Sequence, residues 1–198
     1  MPLSTAVPLI LQDPGFLFWA PLLSAEPLHA ALASTYDADP WPVAWISLGA
    51  TEDGSEWTYE SKVEPVKVAE FFDPIRYSTT DRTGSFAFNL TNYTLQNVKR
   101  AYNGGTLATH SGAGTTLSSS LLPPSPGGEV RAMLGWESLD HTVRKVAFQC
   151  INSGTIKNAY KKAPAYAVIP CMFSFEVPTG APQQPFKEYV AGTARLGV

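Results

Sequence analysis

From residue 43 onward, apolar positions recur at every second residue, the period of a strand with one buried face. VAWISL is a short apolar run, and Gly49 with Asp53-Gly54 supplies turn chemistry before SEWTYESKV. That segment places Trp57, Tyr59 and Val63 on one face and Glu56, Thr58, Glu60 and Lys62 on the other. TGSFAFNLT sets Phe86, Phe88 and Leu90 against Ser85, Ala87 and Asn89. VRAMLGWE and VRKVAFQCI flank the turn residues SLDH and predict a hairpin. AYAVIPCMFSFEV aligns Ala165, Ala167, Ile169, Cys171, Phe173, Phe175 and Val177 on one face, with a bend expected at Pro170. Extended, it would span about 43 Å and organise the core.

The period breaks in four places. TLQNVKRAYNGG has Leu95, Val98, Ala101 and Tyr102 at helical spacing, Asn92 or Thr94 as a cap, and Gly104-Gly105 as a stop, predicting a helix over 93–103. VEPVKVAEFFDPIRYS contains Pro65 and Pro74, which no central strand accepts along its whole length, so 50–74 is expected to leave the body as a long hairpin or loop. Residues 103–129 are dominated by Gly, Ser, Thr and Pro, with one weak strand around TTLSSSLL. Residues 1–42 form an apolar, Pro-rich arm with a helix-compatible stretch, EPLHAALAST; it is too apolar for a solvated tail and too broken to fold alone, so it must lie on its own domain or on a neighbouring subunit. Three regions result: the arm (1–42), a β domain (43–178) and a turn-rich tail (179–198). Seven or eight strands with one helix predict a mainly β protein, a β-sandwich or open barrel with the helix covering part of one sheet.

Composition agrees with that fold. Of 198 residues 44% are apolar and only 16% charged, while 15 Gly and 17 Pro favour strands and turns over helices. The net charge of -3 conceals an asymmetry: residues 1–61 hold eight acids and no Lys or Arg, leaving -8 there and +5 in the rest. No basic stripe of the kind that grips phosphates is present. Cys150 and Cys171 lie in apolar runs and are expected as reduced core thiols. The apolar N-terminal stretches lack a positive flank and are interrupted by Asp13-Pro14-Gly15 and Pro21, so neither a signal peptide nor a membrane span is expected.

Glu52, Asp53, Glu56 and Glu60 crowd into nine positions and raise the possibility of acid/base chemistry. On one strand, however, Glu56 and Glu60 lie about 13 Å apart, beyond the roughly 5–10 Å of a glycosidase pair. The segment also lacks the ligand pattern of a calcium loop. His29, His110 and His141 are scattered, and Asp140-His141 comes with no nucleophile elbow or activated Cys. No enzyme activity and no cofactor are expected. Trp45, Trp57 and Trp136 fall on apolar strand faces, whereas Phe16, Phe18 and Trp19 sit in the arm and mark an interaction surface.

WISLGATEDG followed by a long extended loop, then GSFAFNLTNYTLQNVKRAYNGG, a hairpin and a long final strand, resembles the major tail protein (tail tube protein) of long-tailed, non-contractile bacteriophages, particularly those infecting actinobacteria. The resemblance covers roughly residues 43–178 and rests on element order and short phrases: W-x-x-L-G, E-D-G and a helix ending in N-G-G. The N-terminal arm departs from a minimal tube subunit. The resemblance implies a β-sandwich whose strands join those of five other copies in a hexameric inner barrel. Rings would stack around a tape measure protein between tail terminator and distal tail proteins, and DNA would pass through without specific binding. It places the protein in the virion tail, and in the host cytoplasm during assembly, with no membrane partner. In that frame 50–74 reaches an adjacent ring with Trp57, Tyr59, Phe71 and Phe72 as anchors. Residues 8–23, with Phe16, Phe18 and Trp19, dock on a neighbour, while Glu52, Asp53, Glu56 and Glu60 keep one face acidic. A carbohydrate- or receptor-binding β-sandwich using the 103–129 loop is the alternative from another class, and a type VI secretion tube protein is a third reading.

Overall fold

The structure, a computed structural model, describes residues 15–27, 41–112, 115–139, 141, 143–157, 167–180 and 184–190. Among these residues the chain forms ten strands and one helix: β1 (Phe16–Pro21), β2 (Ile46–Gly49), β3 (Thr51–Val66), β4 (Arg76–Leu90), α1 (Leu95–Ala101), β5 (Thr106–Gly112), β6 (Thr115–Leu122), β7 (Ala132–Glu137), β8 (Val143–Asn152), β9 (Ile169–Phe175) and β10 (Phe186–Val190). The main sheet runs β2-β1-β7-β8-β9-β4-β3, and its pairs are antiparallel. β10 lies on the first half of β8, beside Val143 to Ala147, and β9 takes the second half, so one ten-residue strand serves two neighbours along one edge. β5 and β6 pair as a separate ribbon. The architecture is mainly β with one helix, in a sandwich-like arrangement, as the periodicity predicts.

Three expectations need correction. Residues 16–21, assigned to an arm, form an interior strand between β2 and β7, so this part of the arm lies on its own domain. Residues 186–190, assigned to a peripheral tail, are β10. The Ser- and Thr-rich stretch after α1 forms two antiparallel strands, β5 and β6, with a register shift at His110/Ser111, rather than one weak strand. Residues 28–35 of EPLHAALAST and residues 1–14 fall outside the described residues, as do Ala165 and Tyr166.

β1, β7 and β8 are buried on both faces, which explains why FLFWA and AMLGW lack clean alternation. One face joins Leu17, Phe86, Phe88, Leu134, Ile169 and Phe173 with Val98 of the helix. The other joins Phe18, Trp41, Trp45, Met133, Val146 and Phe148. Gly135 makes room for the second layer, because a Cβ there would stand 2.4 Å from the Trp41 ring. Cys150 and Cys171 are free buried thiols; burial raises both pKa values, that of Cys171 to about 12.

The helix is shorter than predicted. Thr94 caps it by accepting from the Asn97 backbone N–H at 3.2 Å, and Asn103 takes the left-handed conformation (φ 57) at its end, ahead of the two glycines. Asn152 then ties this end to the sheet. Its Nδ2 donates to the Ala101 carbonyl at 2.7 Å, and its Oδ1 accepts from the Met172 N–H at 3.0 Å.

A charged pair closes the β7–β8 hairpin. Glu137 and Arg144 are cross-strand partners with no exposed surface; Arg144 Nε donates to Glu137 Oε1 at 2.8 Å, and Trp41 Nε1 donates to Oε2 at 2.6 Å. Removing one partner of such a pair strands a charge at a cost of about 3–5 kcal/mol, whereas removing both can be nearly neutral. Glu137→Leu and Arg144→Met should each destabilise by about that amount, and the double variant should recover most of the loss in urea unfolding.

Glu176 supplies a pH dependence. Burial raises its pKa, but hydrogen bonds from Gln149 and Arg131 and the Arg131 charge outweigh this and leave it lowered. A lowered folded-state pKa gives stability that is present above the ordinary carboxylate range and lost as pH falls through the lowered value. Thermal melts of Glu176→Gln should therefore lie below those of the wild type at pH 7 and converge with them in acid.

Candidate functional site

Among the described residues, β4 pairs on both edges over Ser85–Leu90, with β3 on one side and β9 on the other. Residues 76–84 pair, among the described residues, with β3 alone. At ~3.3 Å per residue this two-stranded ribbon overhangs the sheet by about 30 Å. Pro65 is tolerated because β3 is the last strand of the sheet order, and a register shift at Lys62/Val63 marks where the ribbon changes twist.

At the far end the chain turns through residues 67–75, closed by the Ile75 N–H on the Val66 carbonyl at 3.0 Å. Phe71 is 65% exposed, Phe72 105%, Ile75 57% and Tyr77 68%. Glu70 and Asp73 flank the two phenylalanines, with Lys67 and Arg76 behind them. Leaving one large apolar side chain in water forgoes about 1.5–3 kcal/mol. Four such side chains at one tip make it a candidate interaction surface.

The expected anchors thus divide. Phe71 and Phe72 lie at the tip, while Trp57 and Tyr59 lie at the ribbon's base and pack on their own chain. The Trp57 ring meets Phe86 at 5.0 Å and Phe175 at 4.7 Å between centroids, and Tyr59 meets Phe186 at 5.0 Å. Gly84 leaves the space these rings need: a Cβ there would stand 2.4 Å from Phe175. Ile75 and Tyr77 are tip residues that sequence reasoning missed; the available signal was apolar residues on both sides of Pro74, where no strand period places them.

The acids are not brought together into a reactive site. Glu52 and Asp53 are exposed at the irregularity between Thr51 and Ser55, where Gly54 has φ 84, so Asp53-Gly54 makes a bulge within β3 rather than a turn before it. Glu56 and Glu60 alternate with Thr58 along the solvent side of β3. Across them stand Ala87 with Met172, Ser85 with Ser174, and Thr83, forming a hydroxyl-rich, acidic face. Lys62 on that face is paired with Glu64 at 2.9 Å.

The aromatic residues of β1 divide as well. Phe18 is buried and stacks on Trp41 at 4.2 Å, which removes it from any contact set. Phe16 remains exposed at the strand's start, against His141 at 5.5 Å. Trp19 is half-buried beneath the Arg100 guanidinium, 5.1 Å from its ring centroid. This pair opens a groove of about 550 Å³ between α1 and β1–β2, lined also by Ile46, Lys99, Val130 and Phe173. Burial lowers the Arg100 pKa, and its Nη1 donates to Asn97 Oδ1 at 2.7 Å. Among the described residues no carboxylate lines the groove. Sequence reasoning missed it because Trp19 and Lys99-Arg100 are some eighty residues apart.

His110 lies exposed on β5 beside Ser120 Oγ at 3.2 Å. Among the described residues no three His, Cys, Asp or Glu side chains converge to hold a metal, and no helix is long and apolar enough to cross a membrane.

Because the tip is the largest exposed apolar feature of the ribbon and has no role in the core, Phe71→Ser/Phe72→Ser should leave the melting temperature within about 2 °C of wild type. Binding of a hydrophobic reporter dye should fall sharply in the same variant. No protein-family model matches the sequence, and no curated protein matches it at a significant level.

Proposed function

We propose that the chain is a structural subunit that assembles with copies of itself into a tube, in the manner of the phage tail tube proteins it resembles. The observation that supports this best is the overhanging β3–β4 ribbon with its exposed apolar tip. A monomer gains nothing from extending about 30 Å of paired backbone into water, and an isolated two-stranded ribbon is only marginally stable. Reach towards a neighbouring copy gives both features a purpose. Ring closure would also cover β2 and β3, the end strands of the sheet order, whose outer edges are unpaired among the described residues and would otherwise be templates for aggregation.

Six copies per ring, rings stacked around a tape measure protein, and tail terminator and distal tail proteins at the ends complete this reading. In it the acidic, hydroxyl-rich face of Glu56, Thr58 and Glu60 lines the conduit. A negative wall repels phosphates and lets DNA slide, where a basic wall would hold it. The protein then belongs to the virion tail, after assembly in the host cytoplasm.

Negative-stain microscopy of the purified chain tests the reading, with stacked rings or tubes as the expected result. Replacing residues 62–81 with Asn-Gly joins the paired positions Ser61 and Arg82 by a two-residue turn and keeps Trp57 in place. That variant should melt as a folded protein and form no tubes. A wild-type chain that stays monomeric at every concentration while binding glycans would favour the carbohydrate- or receptor-binding module instead.

A further inference from the structure

The tip and the groove are complementary in charge, and both are apolar. The tip presents two exposed phenyl rings between Glu70 and Asp73. The groove presents Trp19, Ile46 and Val130 as apolar walls, the last two 45% and 54% exposed, beside Lys99 and Arg100. Its volume of about 550 Å³ is ample for aromatic side chains. The tip also carries Lys67 and Arg76, but these lie at the neck of the turn, while the acids adjoin the phenylalanines. Within one chain the two features cannot meet. Phe86 pairs with the groove-lining Phe173, and the ribbon runs from there about 30 Å outward before the tip is reached.

We infer that the tip of one copy seats in the groove of a second, with Phe71 and Phe72 against Trp19, Ile46 and Val130, and Glu70 and Asp73 facing Lys99 and Arg100. This deepens the self-assembly reading, on which it rests, by naming the receiving surface. The contact is heterologous: each copy offers one tip and one groove, so every contact leaves a tip and a groove open for the next copy. Such contacts make closed rings or open helical stacks rather than isolated dimers. Aromatic anchors in a desolvated pocket supply most of the energy of an interface of this kind, and the flanking charges set its register.

Sedimentation velocity over a range of concentrations tests it with three variants of the full chain. Phe71→Ser/Phe72→Ser removes the tip, and Lys99→Glu/Arg100→Glu reverses the groove. Each should raise the concentration for half-assembly by about tenfold or more. Mixed together, the two should form a one-to-one complex that does not grow, since the groove of the first still accepts the tip of the second. Adding Glu70→Lys/Asp73→Lys to the groove variant should restore assembly. Thermal melts check folding; if the groove variant does not fold, Ile46→Asp, at an exposed position of β2, probes the same contact. Wild-type assembly with groove variants that assemble equally well would overturn the groove assignment and leave self-assembly standing. A wild-type chain that never associates would overturn both.

Discussion

The short stretch where β4 is held on both sides governs the rest of the molecule. Over Ser85–Leu90 this strand bonds β3 and β9 while Phe86, Phe88 and Leu90 enter the core. A strand gripped in that way has its direction fixed where it leaves the sheet, and residues 82–84 continue along it before the register shift at Lys62/Val63. The ribbon is therefore aimed by the core. Trp57, Phe175 and Phe186 pack around the point of departure, with Lys145 Nζ 5.8 Å from the Trp57 ring centroid, so that the base resists bending. A tip aimed by packed aromatics would meet a partner at lower entropic cost than a loose loop.

The same physics decides what could be read from the sequence. β3, β4 and β9 were legible because one face of each is wet, and period-two alternation follows directly from that. β1 was not: Leu17 enters one core layer and Phe18 the other, so the strand shows as an unbroken apolar run that could equally be an arm. β10 was hidden for a different reason, because its partner β8 lies about forty residues earlier and nothing local in FKEYV announces it. The β5–β6 hairpin is built from Thr, Ser and Gly, residues whose composition signals a loop even when their backbones pair. Phe71 and Phe72 were singled out only through the resemblance, and they lie exposed at the tip. Trp57 was misplaced because alternation identifies a buried face without saying whose atoms bury it.

Two core layers on one sheet impose a cost at the β7–β8 end. Glu137 and Arg144 close the hairpin from inside protein rather than from water, and Trp41, arriving from the segment before β2, completes the carboxylate's hydrogen bonding. The Arg144 guanidinium lies 5.4 Å from the centroid of the same Trp41 ring. A pair this deep adds little net stability, but it penalises any register in which the two charges miss each other. The strands that carry β1 on one side and β9 with β10 on the other are thereby held in one alignment.

The charge asymmetry along the chain also takes on a spatial meaning. The acidic first third and the basic remainder are interleaved by the sheet, and part of the imbalance cancels where they meet: Glu26 accepts from Lys187 at 3.2 Å and from Tyr189, whose pKa is raised by burial and then by that carboxylate. What survives is local. Glu52, Asp53, Glu56 and Glu60 stay exposed along β3, and Lys99 and Arg100 stay at the groove beside Trp19. Among the described residues these charges form no ion pair. In the self-assembly reading a second copy would supply the complement, and its apolar tip would cover groove walls that counterions leave in contact with water.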